Sequence, residues 1–220
     1  YVLSNNNTLL NNTANSNTYY GIQLSESSNN TITNNTVNFN GRYGLLLWTG
    51  SDNNTLSNNT ANSNVQYGIM VSTADDNIFS DDSVMNNTAN EVYITANSIG
   101  STFRNLNING TNLSFTGRNF AIQEVKDTER PTKTQNISTY INAIRIGVPA
   151  TSWFYLNISY NETYINSLGY YENNLTLWTY NTSWYNNTGS YINTVQDYIY
   201  SNITLTSTST SSTFGIFSYM

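Results

Sequence analysis

An all-β fold in two parts is predicted for this chain: a parallel β-helix leading into a β-sandwich. Three observations predict it. An asparagine-rich repeat recurs every 23 to 24 residues between Ser4 and Thr95; apolar residues are spaced for strands and form no helical stripe; and the composition changes after residue 136. Asn, Thr and Gly all disfavour helix, while the abundant Thr, Ile and Val are strand formers.

The repeat comes first in the chain. Ser4-Asn-Asn-Asn-Thr-Leu-Leu-Asn-Asn-Thr-Ala is followed by Ser28-Asn-Asn-Thr-Ile-Thr-Asn-Asn-Thr-Val, then by Asp52-Asn-Asn-Thr-Leu-Ser-Asn-Asn-Thr-Ala and the looser Asp76-Asn-Ile-Phe-Ser-Asp-Asp-Ser-Val. The first three end in Tyr-Gly and alternating apolar residues: Tyr20-Gly21-Ile22-Gln23-Leu24, Tyr43-Gly44-Leu45-Leu46-Leu47 and Tyr67-Gly68-Ile69-Met70-Val71. Four apolar columns result: Leu9, Ile32, Leu56, Phe79; Ala14, Val37, Ala61, Val84; Ile22, Leu45, Ile69, Val92; and Leu24, Leu47, Val71, Ile94. Short strands with alternating inward residues, joined by Asn, Gly and Ser turns, describe one solenoid coil that adds about 4.8 Å to the stack. Phe103, Leu106, Ile108, Leu113 and Phe115 are expected on a fifth, irregular coil.

The paired asparagines then acquire a role. Asn12, Asn35 and Asn59, continued by Asp82, and Asn30, Asn54 and Asn77 recur one coil apart. Stacked at a turn, each amide donates to one neighbour and accepts from the other, and Asn tolerates the left-handed backbone of tight turns. The preceding Asn11, Asn34 and Asn58 are expected to face outward.

Next comes a charged segment. Six of the chain's twenty charged residues fall between Glu124 and Lys133, around Pro131, and read as a linker. Residues 1–123 are thus assigned to the β-helix, 124–136 to the linker and 137–220 to the sandwich. The last part holds 12 of 18 Tyr and three of four Trp. Phe154, Leu156, Ile158 and Tyr160 alternate with Asn157 and Ser159; Leu175 and Leu177 alternate with Thr176 and Trp178; Ile199, Ile203 and Leu205 share a face opposite Asn202. Short strands broken by Asn-Gly-Ser clusters fit a small sandwich.

Charged residues make up only 9% of the chain, with a formal net charge of -6. Seven Lys and Arg are too few for a nucleic-acid surface. There is no Cys or His, so stacking and core packing take the place of disulfides. No signal peptide or membrane span is visible. The chain opens at Tyr1 within the repeat register, which reads as part of a longer precursor. Sixteen Asn-X-Ser/Thr sequons occur, at Asn6, Asn11, Asn29, Asn34, Asn53, Asn58, Asn86, Asn109, Asn112, Asn136, Asn157, Asn161, Asn174, Asn181, Asn186 and Asn202. Composition alone gives roughly 11. The repeated Asn-Asn-Thr explains the excess in the first half but not after residue 136, so N-glycosylation and an extracellular location are expected.

Ser28-Asn-Asn-Thr-Ile-Thr-Asn-Asn-Thr-Val through Tyr43-Gly44-Leu45-Leu46-Leu47 resembles the right-handed β-helix repeats of NosD-like proteins, abundant on the surfaces of methanogenic archaea. Trp153-Phe-Tyr-Leu-Asn-Ile-Ser-Tyr, Asn174-Leu-Thr-Leu-Trp-Thr-Tyr-Asn-Thr-Ser-Trp and Ser212-Thr-Phe-Gly-Ile-Phe resemble the sandwich that often follows such repeats in archaeal envelope proteins. The resemblance implies a right-handed parallel β-helix of about five coils followed by an Ig-like β-sandwich. NosD proteins are associated with copper, but this chain lacks His and Cys, and Met70, Met85 and Met220 stand apart.

Catalysis on acidic polysaccharides needs carboxylate pairs with a base on one face. Here the acidic clusters are Asp75-Asp76 and Asp81-Asp82, and residues 1–123 hold only Arg42, Arg104 and Arg118 as bases. Asp82 falls in a ladder column, so these acids read as ladder substitutions near a turn, with a weak Ca²⁺ site as the rival reading. Trp48, Trp153, Trp178 and Trp184 are weighed as a sugar-stacking platform against core and rim packing. No catalytic, cofactor-binding or dedicated metal residue is expected. The sequence therefore predicts a non-enzymatic, N-glycosylated structural protein of the cell surface that assembles head to tail with itself into a surface layer, sheath or filament. A carbohydrate-binding adhesin, with cell-surface polysaccharide as partner, is the alternative, and a polysaccharide lyase or hydrolase the third reading.

Overall fold

The computed structural model describes residues 3–125, 134–136, 138, 140–145, 152–181, 183–205 and 211–219. The repeats fold into β1 (Thr8–Leu10), β2 (Tyr20–Ser25), β3 (Thr31–Thr33), β4 (Tyr43–Trp48), β5 (Thr55–Ser57), β6 (Tyr67–Ser72), β7 (Ile78–Ser80), β8 (Asn90–Ile94) and β9 (Thr102–Ile108). Odd-numbered strands stack in parallel as one sheet and even-numbered strands as another, each residue facing its equivalent one coil on: Leu9 to Ile32 to Leu56 to Phe79, and Ile22 to Leu45 to Ile69 to Val92. The third side of each coil is a single bridged residue, in the series Thr13, Thr36, Thr60, Ser83 and Asn107.

The expected columns are the core. Ile32, Leu56, Leu45, Ile69, Leu47 and Val71 are all fully buried, and each such side chain stabilises the fold by about 1.5–3 kcal/mol relative to exposure. Phe79 and Phe103 extend one column as rings stacked 4.3 Å apart, with Phe115 beyond at 4.5 Å.

Four coils are complete, and the fifth stops at its first strand. β9 adds in parallel to β7, but β10 (Thr111–Gly117) runs back antiparallel against it. Leu113 and Phe115 therefore do not continue a fifth coil as expected; they lie on this returning strand. The cause is local. Asn109 and Gly110, with φ of 46° and 84°, form a two-residue turn of the type that closes hairpins and requires two left-handed residues.

From there the same two sheets continue as antiparallel strands: β11 (Phe120–Val125), β12 (Thr134–Asn136), β13 (Tyr140–Arg145), β14 (Ser152–Ser159), β15 (Leu175–Asn181), β16 (Ser183–Asn186), β17 (Tyr191–Asn193), β18 (Tyr198–Leu205) and β19 (Ser211–Tyr219), with one short helix, α1 (Glu162–Ser167). One sheet runs β1-β3-β5-β7-β9-β10-β14-β18-β17; the other runs β16-β15-β19-β13-β11-β8-β6-β4-β2, with β12 on β19. A single apolar core fills the space between them from Ile22 to Ile216. Of the expected linker, Glu124 and Val125 end β11 opposite Ile141 and Tyr140, and 134–136 pair with β19; residues 126–133 lie outside the described residues. The alternation read in the second half matches burial: Leu156, Ile158, Leu175, Leu177, Ile199, Ile203 and Leu205 are buried and Asn202 is exposed.

Candidate functional site

The solenoid corners carry most of the polar chemistry. Three internal ladders run through them. In the first, Asn7, Asn30, Asn54 and Asn77 succeed one another; in the second, Asn12, Asn35, Asn59 and Asp82; in the third, Asn17, Asn40, Asn64 and Asn87. The side-chain oxygen of each later residue accepts from both the backbone N–H and the amide of the one before, at 2.7–3.0 Å within the second ladder. An amide can relay this pattern because it both donates and accepts. The ladders end on oxygen acceptors: Ser101 for the first, Asp82 for the second and Glu91 for the third.

The sequence reading found two of these ladders and missed the third. Its signal was there: Asn17, Asn40 and Asn64 each stand four residues before Gly21, Gly44 and Gly68. A Cβ on Gly44 would lie 2.8 Å from the Asn64 amide and 2.8 Å from the Gly68 carbonyl. The glycine of the Tyr-Gly motif thus leaves room for the ladder amide and for the carbonyl of the next coil.

Asp82 strains its ladder. One oxygen accepts from Asn59, while the other is buried with no hydrogen-bond partner. The register of the column places that oxygen where an Asn would donate to a main-chain carbonyl, as Asn59 does to Ile32. Burial pushes the Asp82 carboxyl up to about 7, against the lowering effect of the Asn59 hydrogen bonds. Asp75 and Asp81 are likewise corner residues, accepting from the Ile99 N–H and the Asn105 amide. Among the described residues, these acids do not converge as a group of three.

Before every ladder residue stands one in left-handed conformation. In the first two ladders it is Asn6, Asn29, Asn53 and Asp76, then Asn11, Asn34, Asn58 and Asp81, with φ between 53° and 59°. In the third it is Ser16, Phe39, Ser63 and Asn86. In the first two ladders the sequon is therefore the grammar of the corner: a left-handed Asn, a ladder Asn that is buried from the second coil on, and a Thr that enters the next strand or bridge. Asn6, Asn11, Asn29, Asn34, Asn53, Asn58 and Asn86 are all exposed, and the side chains of Asn11, Asn34 and Asn58 make no hydrogen bond.

The remaining sequons are less uniform. Asn109 is exposed and its amide donates to Glu124 at 2.7 Å. Asn112 is half-buried and accepts from Asn107. Asn202 and Asn174 are exposed and Asn186 is half-buried. Asn161 is exposed and caps α1 through its oxygen. Asn157 is half-buried with an unpartnered oxygen. The side chains of Asn136 and Asn181 lie outside the described residues.

Aromatic side chains form a second feature. Tyr20, Tyr43, Tyr67 and Tyr93 stack along β2, β4, β6 and β8 with centroids 5.3, 5.1 and 4.6 Å apart. Each inner ring spends its faces on its neighbours and leaves edges to solvent. Trp178 and Trp184 meet Phe217 edge-on, Trp48 is exposed alone on β4, and the side chain of Trp153 lies outside the described residues. A flat sugar platform needs a free ring face, which this stack does not offer along its length.

Among the described residues, no helix is long and apolar enough to cross a membrane. No match was found among curated proteins or solved structures. The model of one family, the right handed beta helix region, matches residues 1–137, the stretch that holds the coils, the ladders and the corner asparagines. The chain belongs to the right-handed β-helix family.

Proposed function

We propose that this chain is a non-enzymatic, N-glycosylated structural protein of an extracellular, archaeal-type surface, NosD-like in its repeats. It acts as a subunit that assembles head to tail with copies of itself into a layer, sheath or filament. One observation carries the reading: the corner sequons present exposed Asn side chains in a repeating array, while the adjacent Asn are consumed in internal ladders. A repeating stack with periodic attachment points suits a scaffold. Low charge and the absence of Cys and His fit a role that rests on shape rather than turnover.

The test is negative-stain imaging of protein purified from its native source, together with its size in solution. Regular arrays or filaments built of this chain support the reading. A monodisperse, unmodified monomer overturns it.

A further inference from the structure

Between Thr134 and Met220 the chain has only three acidic residues, Glu162, Glu172 and Asp197, and one base, Arg145. The fold brings all three acids to one point. Glu162 opens α1, Glu172 opens a short 3₁₀ turn (Glu172–Asn174), and Asp197 precedes β18 in left-handed conformation with φ 53°. One carboxylate oxygen from each lies within 4.8 Å of the others. Arg145 ends β13, in the opposite sheet.

A second observation points to a ligand. Tyr160 is 9% exposed, and its hydroxyl is buried beside these carboxylates with no hydrogen bond of acceptable geometry. One oxygen of Glu172 is also buried without a partner. Burial, with Glu162 and Asp197 adding to it, holds the Glu172 carboxyl above its usual range. A polar groove of about 560 Å³, lined by Thr111, Asn112, Tyr160, Glu162 and Asp197, gives access.

We infer that Glu162, Glu172 and Asp197 form a divalent-cation site, with Ca²⁺ the best-fitting ion. The donor set is all oxygen, which selects hard cations. Three separate segments supply it, which suits the looser geometry of Ca²⁺ over the strict octahedron of Mg²⁺. The ion neutralises the three charges, and the Tyr160 hydroxyl then donates to a carboxylate fixed by coordination. The site ties α1, the 3₁₀ turn and the start of β18 together.

The full chain, stripped with EDTA, is titrated with CaCl₂ and with MgCl₂ by calorimetry and thermal unfolding, and with Tb³⁺ by tyrosine-sensitised emission. One Ca²⁺ should bind more tightly than Mg²⁺, raising Tm by roughly 5 °C at hundredfold excess over Kd. Glu172→Gln and Asp197→Asn should each weaken Ca²⁺ binding about tenfold or more. In EDTA these variants should unfold no lower than the parent, since they relieve like-charge repulsion. Glu162→Gln, at an exposed position, gives the same reading should either variant fail to fold. No heat and no Tm shift up to about 10 mM of either ion, or Ca²⁺ binding kept in these variants, overturns the proposal. So does binding lost instead in Asp75→Asn or Asp81→Asn.

Discussion

The two halves of the molecule share both sheets and differ in strand direction. In the solenoid, parallel stacking sets each residue against its own equivalent. Asn54 meets Asn77, and Tyr43 meets Tyr67. In the second half, antiparallel pairing sets unlike residues across from one another. Asn157 faces Ser114 on one side and Tyr200 on the other, and its side-chain oxygen is buried without a partner. A ladder Asn is thus satisfied while the next coil repeats it and loses partners where the repetition stops, as at Asn77, whose amide is buried without a partner beside Ser101, and at the half-buried Asn157. Periodicity is what makes a polar column stable in a dry interior.

The largest effect should come from breaking a ladder. Asn59→Ala removes the acceptor for the Asn35 N–H and the donors to Ile32 O and Asp82. We expect a loss of about 5 kcal/mol in urea unfolding. Asn202→Ala, on an exposed strand position of the other half, should stay within about 0.5 kcal/mol. Equal losses would dissolve the comparison.

Asp82 sharpens it through pH. Its carboxyl is held at about 7 in the fold, above an unfolded value of about 3.9. The folded state therefore binds the proton more tightly. The contribution is fully present below about pH 4 and is lost as pH rises to 7, a drop of roughly 3–4 kcal/mol. Asp82→Asn completes the ladder and should remove that drop. The difference between variant and parent stability, measured at pH 4 and pH 8, isolates it from other titrating groups.

Gly44→Ala should cost about 2 kcal/mol by overpacking against the Asn64 amide and the Gly68 carbonyl. The same change at Gly189, whose nearest contact for a Cβ is a side-chain oxygen at 3.5 Å, should be nearly silent. The smallest effect belongs to the corners. Asn34→Ala, at φ 56°, should lose about 1 kcal/mol to left-handed strain and leave the ladder intact, which thermal unfolding can check.

The solenoid was legible in the sequence because a coil returns each residue to the same place every 23 to 24 positions. The columns and two ladders could be read directly. The third ladder was obscured because Ser16, Phe39 and Ser63 break the Asn-Asn pattern at its corners, although the Asn-to-Gly spacing marked it. The end of the coils was also written locally, in Asn109-Gly110, a hairpin signal that outweighs the apolar spacing of Leu113 and Phe115. The carboxylates of Glu162, Glu172 and Asp197 could not be read together: only the return of β18 alongside β14 joins them, across 35 residues.

Glycopeptide mass spectrometry of protein from its native source tests the central claim most directly. The account predicts glycan on Asn11, Asn34 and Asn58, whose exposed side chains repeat along the coils. Those three peptides recovered unmodified from native material would contradict it.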